Sequence, residues 1–297
     1  MPGLVAPTAP SARWGVRLLS NPIIQMILAL LAIAIPFAIV AIPFNLYVSD
    51  RILKKAGALL LTAVILAAYR TYVKVVEGRP VTELSRTHAS RELGAGLLLG
   101  ALLLSLTIGV MAALGAYRIT GTNGWMAMIA TLPAFILAAV LEEVVMRAVV
   151  FRILEQWLGS WTALAISAAV FGVLHLFNTG TTLLDAGAIM LEAGVMLAAA
   201  YMVTRRLWFC VGIHFAWNFT QGGIFSAAVS GEATNGLLQA QLVGPAWLTG
   251  GAFGAEASLT AMVVCLAAGL LLLLAARHRR HMIPSSWSRR ATTAPAL

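Results

Sequence analysis

Long runs of apolar residues, separated by short polar segments, set the pattern of this chain. Eight runs are long enough, at roughly 20 residues per crossing, to span a bilayer as helices. They cover residues 23–48, 56–76, 94–115, 125–151, 161–178, 183–204, 207–229 and 256–276. The pattern therefore predicts an all-α polytopic membrane protein with about eight transmembrane helices.

The positions of the charged residues predict how the chain is divided and oriented. Residues 1–21 are expected to form an N-terminal cytoplasmic segment, 22–276 the membrane domain, and 277–297 a basic cytoplasmic tail. With eight spans, fifteen of the 20 Lys and Arg residues fall on the side that holds both ends of the chain, and four fall on the other. Because positive residues accumulate in cytoplasmic loops, both termini are predicted to be cytoplasmic.

Composition narrows the class of protein. The chain is 60% hydrophobic and only 10% charged, which excludes an ordinary soluble domain, where about 25% of residues are charged. A net charge of +9 would suggest nucleic acid in a soluble protein. Here the cations lie at the ends of predicted spans, so we expect the lipid bilayer and no nucleic acid as a partner. Cys210 and Cys265 both fall in apolar runs, which argues against a disulfide framework.

The fourth predicted span contains three charged residues, Glu142, Glu143 and Arg147. Charged residues at the centre of a membrane helix cost about 2.5–3.5 kcal/mol each on insertion scales, so they need partners. Glu143 and Arg147 are four residues apart and meet on one helix face, whereas Glu142 lies about 100° round the helix. The spacing predicts a Glu143–Arg147 ion pair and leaves Glu142 as a candidate acid or base. A buried ion-pair cluster that only locks helices together is the alternative.

Two later spans carry polar residues at the same helical spacing. The fifth has Phe171 and His175, and the seventh has His214 and Asn218. A helix that is apolar except for one polar stripe points that stripe into the bundle interior, so we expect one shared intramembrane cavity. Glu192, in the sixth span, either lines the same cavity or forms a structural pair.

These side chains suggest hydrolysis, by either of two routes. In the first, Glu142 and His175 hold and deprotonate a water molecule, and His214 and Asn218 donate hydrogen bonds to the oxyanion. In the second, Glu142, His175 and His214 are ligands of a hydrolytic zinc ion with an open fourth position. The residues alone do not separate the two routes.

The three motifs, in this order on successive helices, resemble the CAAX prenyl protease 2-like and bacteriocin-processing (CPBP, or Abi) intramembrane proteases. The motifs are Glu-Glu-x-x-x-Arg at 142–147, Phe-x-x-x-His at 171–175 and His-x-x-x-Asn at 214–218, within a motif core of about 125–225. The resemblance implies a glutamate-dependent endopeptidase. We expect no cofactor, with the zinc route as the second choice. The resemblance implies catalytic roles for Glu142, His175, His214 and Asn218 and supporting roles for Glu143, Arg147 and Phe171.

The resemblance also implies a setting for the reaction. The substrate is expected to be a membrane-associated or lipidated peptide or protein. Because the segments 204–208, 230–232 and 248–251 are similar to those of many bacterial members, the expected location is the bacterial inner membrane. Two alternatives stay open at this stage: a non-catalytic scaffold or bacteriocin-immunity-type protein that binds a partner helix, and an ion-coupled transporter, since intramembrane acids also mark ion paths.

Overall fold

Helices form most of the described part of the chain, residues 21–285 of the computed structural model. Their bounds, in chain order, are α1 Pro22–Tyr47, α2 Arg51–Val75, α3 Ala89–Ala113, α4 Trp125–Glu143, α5 Arg152–Leu158, α6 Ser160–His175, α7 Leu183–Ile189, α8 Val195–Thr204, α9 Leu207–Asn218, α10 Ala246–Thr249 and α11 Leu259–His278. Two strands, β1 Tyr117–Thr122 and β2 Leu238–Leu242, form an antiparallel pair.

Within residues 21–285, five helical segments are long and apolar enough to cross a membrane. They are Pro22–Tyr47, Ile52–Val75, Ala89–Ala113, Leu183–Thr204 and Leu259–His278. The protein is thus mainly helical and an integral membrane protein, as the sequence predicts. The count of eight spans is not confirmed, and the cytoplasmic location of the termini stays a prediction. Most of the predicted N-terminal segment, 1–20, and the end of the predicted tail, 286–297, lie outside the described residues.

Three π-helical segments interrupt the helices that carry the polar motifs. They are Val144–Phe151 after α4, Met190–Gly194 between α7 and α8, and Phe219–Ile224 after α9. Each one contains or directly follows a polar residue singled out in the sequence: Glu143, Glu192 and Asn218. Short π-helical turns are often found at functional sites.

Helices α3 and α9 approach closely because small residues face each other. Gly96 and Gly100 of α3 have the Gly-x-x-x-Gly spacing that lets membrane helices touch backbone to backbone. A Cβ atom added at Gly100 would lie 2.2 Å from the Ile213 carbonyl oxygen, and one at Gly212 would lie 2.6 Å from the Leu93 carbonyl oxygen. The glycines thereby fix the position of α9, which carries His214 and Asn218.

Replacing Gly100 with alanine should destabilise the protein by about 1–3 kcal/mol, because the added methyl group overlaps the backbone of α9. Gly109 in the same helix provides the matched control, since nothing lies within 4 Å of the Cβ position there. Gly109→Ala should be neutral or slightly stabilising through its higher helix propensity. Thermal unfolding of the two purified variants checks this, and equal midpoints would contradict it.

The β1–β2 pair is a feature that the sequence pattern did not predict. The strands are short and their pairing is irregular between Ile119 and Gly121. β1 lacks a clear alternation of apolar and polar residues, whereas β2 alternates but is only five residues long. The Tyr117 hydroxyl at the start of β1 donates a hydrogen bond of 2.8 Å to the Phe225 carbonyl. This contact ties the strand pair to the segment that follows α9.

The start of the predicted basic tail packs against the bundle. Helix α11 extends to His278, and the chain then turns back towards the beginning of α6. There the Ser160 amide donates to the Ile283 carbonyl at 3.0 Å, and the Ile283 amide donates to the Ser160 hydroxyl at 2.8 Å. Residues 279–285 are therefore part of the folded structure.

Candidate active site

The candidate site is built around a buried ion pair that joins α4 to its π-helical extension. Glu143 and Arg147 are 0% and 1% exposed, and Glu143 Oε2 lies 3.2 Å from Arg147 Nε. The predicted pair is therefore present. The Arg147 guanidinium also donates a hydrogen bond of 3.1 Å to the Ala193 carbonyl, across to the π-helical segment before α8.

Glu143 also contacts α9, an interaction that the spacing did not predict. Its Oε1 atom lies 2.8 Å from His214 Nδ1. Since an ionised carboxylate only accepts hydrogen bonds, His214 must donate through Nδ1–H. The ring then has a proton on Nε2 only in its cationic form. The Nε2 atom faces Glu142, whose Oε2 is 3.8 Å away, beyond hydrogen-bond distance.

Glu142 occupies a different environment from its neighbour. Its side chain is 34% exposed, whereas that of Glu143 is completely buried. It lines a cavity of about 330 Å³ together with Leu141, Val145, Met146, Phe171, Leu174, His175, Asn178 and Ser230. We refer to this as the Glu142 cavity. Its wall is largely apolar, and Glu142 and His175 provide its ionisable groups.

His175, at the end of α6, is held by a local hydrogen bond and by Phe171. Its Nδ1 atom lies 2.8 Å from the Phe171 carbonyl oxygen, which can only accept, so Nδ1 is the donor and Nε2 of the neutral ring has a free lone pair. The Phe171 ring lies 4.8 Å from the His175 ring and 4.7 Å from the Arg147 guanidinium carbon. Phe171 thus packs between the ion pair and His175, and its supporting role stays a prediction.

His214 and Asn218 line a second, smaller cavity. This Asn218 cavity has a volume of about 30 Å³, enough to hold a water molecule, and its polar lining is His175, Glu192, His214, Asn218, Ser230 and Glu256. Phe171, His175 and Ser230 line both cavities, which therefore adjoin. The structure brings the four predicted catalytic side chains around these two adjoining cavities, with Glu142 in one, His214 and Asn218 in the other, and His175 in both.

In the described residues, the side chains predicted as zinc ligands do not form a zinc-binding arrangement. Within residues 21–285, no group of three or more His, Cys, Asp or Glu side chains has the geometry to hold a metal ion. Glu142, His175 and His214 are therefore near one another without forming a ligand cluster. Metal dependence stays an untested prediction. Cys210 and Cys265 are both free and buried, as expected.

Two acidic side chains in the Asn218 cavity lack a cationic partner in the described part of the chain. Glu192 is buried, and its Oε2 atom has no hydrogen-bond partner there. Glu256, in the turn before α11, is also buried and accepts a hydrogen bond from the Ser230 amide. Glu192 had been singled out in the sequence, but Glu256 had not. The sequence feature that could have identified Glu256 is its position as an isolated acid at the start of an apolar run.

Burial raises the pKa of Glu256 to about 7, from an ordinary value of 4.5. The contribution of Glu256 to the free energy of unfolding is therefore highest below about pH 4.5, where the side chain is protonated. This contribution is lost as the pH rises through about 7. Glu256→Gln removes the titration while keeping an oxygen that can accept from Ser230. The thermal midpoint of the natural protein should fall relative to that of the variant between about pH 5 and pH 8. A constant difference between the two proteins would contradict this assignment.

Comparison with known proteins identifies the part of the chain that holds the site. Residues 124–220 match a family model described as type II CAAX prenyl endopeptidase Rce1-like. No curated protein and no solved structure matched the chain. The matched segment runs from the start of α4 to just past α9, so it contains all seven predicted catalytic and supporting residues. The resemblance predicted from the three motifs is confirmed: this segment is similar to the type II CAAX prenyl endopeptidases of the Rce1-like family.

Proposed function

We propose that the protein is an intramembrane endopeptidase that hydrolyses a peptide bond with a water molecule activated by Glu142 and His175. The observation that carries the proposal is the contrast between the two adjacent glutamates. Glu143 is fully buried and bound to Arg147 and His214, so it is committed to structure. Glu142 is partly exposed and faces a cavity together with His175.

The proposed reaction begins in the Glu142 cavity. A water molecule between Glu142 and the free Nε2 of His175 gives one proton to the Glu142 carboxylate, and its oxygen attacks the carbonyl carbon of the peptide bond. The carbonyl oxygen becomes an oxyanion. The Asn218 amide and the Nε2–H of cationic His214 then donate hydrogen bonds to it. The C–N bond breaks, and the proton held by Glu142 passes to the leaving nitrogen. The products are a carboxylic acid and an amine, and transfer of the acid's proton to the amine gives a carboxylate and an ammonium group.

Glu143 has a positioning role in this scheme. By accepting from Nδ1 of His214, it holds the ring with Nε2 directed to Glu142 and favours the cationic form that can donate from Nε2. The Asn218 carboxamide comes from the same face of α9, one turn further along. The two donors are thus held by one helix, and that helix is fixed by its glycine contacts with α3.

The proposed substrate is a membrane-associated or lipidated peptide. Apolar side chains make up most of the lining of the Glu142 cavity. Val173, Leu174 and Phe177, at the end of α6, have large exposed apolar surfaces next to it. A chain that reaches this cavity therefore passes apolar surface, which suits a substrate already held in the bilayer. We propose that the reaction takes place at the membrane and without a metal ion.

The test is a comparison of new protein N-termini in membranes from cells that express the natural protein or Glu142→Gln at matched levels. Glu232→Gln, which changes an exposed glutamate outside both cavities, is the control. We expect a set of N-termini that appear with the natural protein and the control but not with Glu142→Gln. Identical profiles from all three folded proteins would instead favour the non-catalytic scaffold.

A further inference from the structure

A third cavity lies where three membrane helices end, and it shares no lining residue with the Glu142 cavity or the Asn218 cavity. Its volume is about 340 Å³, within the range of small-ligand sites. The beginning of α3, the turn between α8 and α9, and the end of α11 form its walls. The lining residues are His88, Arg91, Glu92, Ala95, Val203, Thr204, Arg206, Phe209 and Arg279. We refer to it as the arginine cavity.

The charges in the arginine cavity do not balance. Three arginines face one glutamate. Glu92 is bound by Arg206, whose Nε lies 2.9 Å from each carboxylate oxygen. In the part of the chain that the structure describes, no carboxylate lies within ion-pair distance of Arg91 or Arg279. Arg279 makes only a hydrogen bond, from its guanidinium to the Val203 carbonyl at 3.3 Å. The cavity therefore has two cationic side chains available for an anion.

Two helix N-termini add to this positive potential. Helix α3 begins after His88 and helix α9 after Arg206, and neither residue caps its helix through a side-chain hydrogen bond. Residues from the first turns of both helices line the cavity. Unsatisfied amide groups at a helix N-terminus favour negatively charged ligands, phosphate above all. The alternative is that these arginines only orient the membrane spans. That role does not require two helix N-termini and two guanidinium groups without a carboxylate partner to face one cavity.

The surroundings indicate that the anion belongs to a lipid. The cavity lies at the ends of the three candidate membrane spans that contain α3, α8 and α11, where lipid headgroups are expected. On α3, Arg91 and Ala95 line the cavity, and the same helix face continues as Leu98 and Leu102, both exposed. An amphipathic ligand can place its charged group against the arginines and its acyl chain along these leucines. A free phosphate would leave the leucine stripe uncovered.

We propose that the arginine cavity binds the phosphate headgroup of an anionic membrane lipid, with an acyl chain along the Leu98–Leu102 face of α3. Basic cavities between membrane helices are known sites for such headgroups. The proposal does not depend on the proposed peptidase reaction, because it concerns other residues and a binding measurement. The ligand anchors the end of α3, and α3 in turn packs against the helix that carries His214.

The test is lipid binding to the purified full-length protein, followed by native mass spectrometry during titration. Phosphatidylglycerol and phosphatidylcholine with the same acyl chains are compared, with inorganic phosphate and glycerol 3-phosphate as soluble competitors. We expect the protein to bind phosphatidylglycerol in preference to phosphatidylcholine. The double variant Arg91→Gln/Arg279→Gln should bind phosphatidylglycerol at least about tenfold more weakly, because each arginine near a membrane surface contributes roughly fivefold.

The matched control is Arg86→Gln/Arg277→Gln, which removes the same charge from exposed positions outside the cavity lining. Its affinity for phosphatidylglycerol should stay close to that of the natural protein. Equal weakening in both double variants, or equal binding of the two lipids, would overturn the proposal. Displacement of the lipid by an equimolar amount of inorganic phosphate would overturn it in favour of a free-phosphate site. Arg91→Gln alone, at an exposed position, repeats the test if the double variant does not fold.

Discussion

Replacing Glu142 with glutamine should reduce peptide-bond hydrolysis by about 10²–10⁴-fold while the protein stays folded. A carboxamide of the same shape cannot take the proton from the attacking water, and general-base catalysis typically contributes a factor of this size. Folding should be unaffected, because Glu142 is partly exposed and makes no close ion pair; its nearest imidazole nitrogen is 3.8 Å away. The measurement is the cleavage rate of a peptide that spans a site identified from the new N-termini, with the purified variant in the same membrane mimetic as the natural protein.

The control for this prediction is the exposed Glu232→Gln, which should retain full activity. His175→Ala should also lose most of its activity, since His175 is the other ionisable group in the Glu142 cavity. Thermal midpoints of the variants establish that each one is folded. A folded Glu142→Gln protein that cleaves the peptide at an undiminished rate would refute the assigned role of Glu142.

Arg147→Ala should cause the largest loss of stability, about 3–5 kcal/mol. The substitution leaves the completely buried Glu143 carboxylate without its cation, and an unpaired buried charge costs several kcal/mol. It also removes the hydrogen bond to the Ala193 carbonyl and the contact of the guanidinium with the Phe171 ring. The thermal midpoint of the purified variant, compared with that of the natural protein, is the measurement.

A second variant separates the charge effect from lost packing. Arg147→Met/Glu143→Leu replaces both charges by apolar side chains of similar size, which is often nearly neutral for buried ion pairs. It should therefore be more stable than Arg147→Ala, although it loses the acceptor for His214. As a surface control, Arg86→Ala should change the free energy of unfolding by less than about 0.5 kcal/mol. An unchanged midpoint for Arg147→Ala would argue against the ion pair.

Local spacing predicted the contacts that lie within one helix. Glu143 and Arg147 are one turn apart, so helical geometry alone brings them together, and the structure has them at 3.2 Å. His175 is likewise close to Phe171, four residues earlier. The family resemblance followed from the order of three such motifs. These features depend only on residues close together in the chain, which is why they could be recognised without a structure.

Contacts between distant segments could not be predicted in the same way. The hydrogen bond between Glu143 and His214 joins residues 71 positions apart and depends on how α4 and α9 pack. Gly96 and Gly100 could be recognised as a contact motif, but their partner Gly212 is known only from the fold. Glu256 looked like the beginning of a membrane span, and only the folding back of its turn places it in the Asn218 cavity.

The number of membrane spans is another feature that the sequence pattern alone does not establish. Hydropathy measures the length of an apolar run and not the continuity of the helix within it. Residues 125–151 form an apolar run that the structure divides into α4 and a π-helical segment, and residues 207–229 behave similarly after Asn218. The backbone departs from the α-helix at or next to Glu143, Glu192 and Asn218, and that departure is not visible in a hydropathy pattern.

The glycine contacts between α3 and α9 also bear on how the cavity can open. Two backbones in direct contact have no layer of side chains between them that could rearrange, so we expect these helices to move together. Another part of the wall is Ser230, which is attached through the Asn178 side chain at 3.1 Å and through Glu256. The Asn218 cavity, at about 30 Å³, is too small for a peptide. We therefore expect a substrate chain to gain room by displacement of the Ser230 segment, with the α3–α9 pair as the stationary reference for His214 and Asn218, the two proposed oxyanion donors.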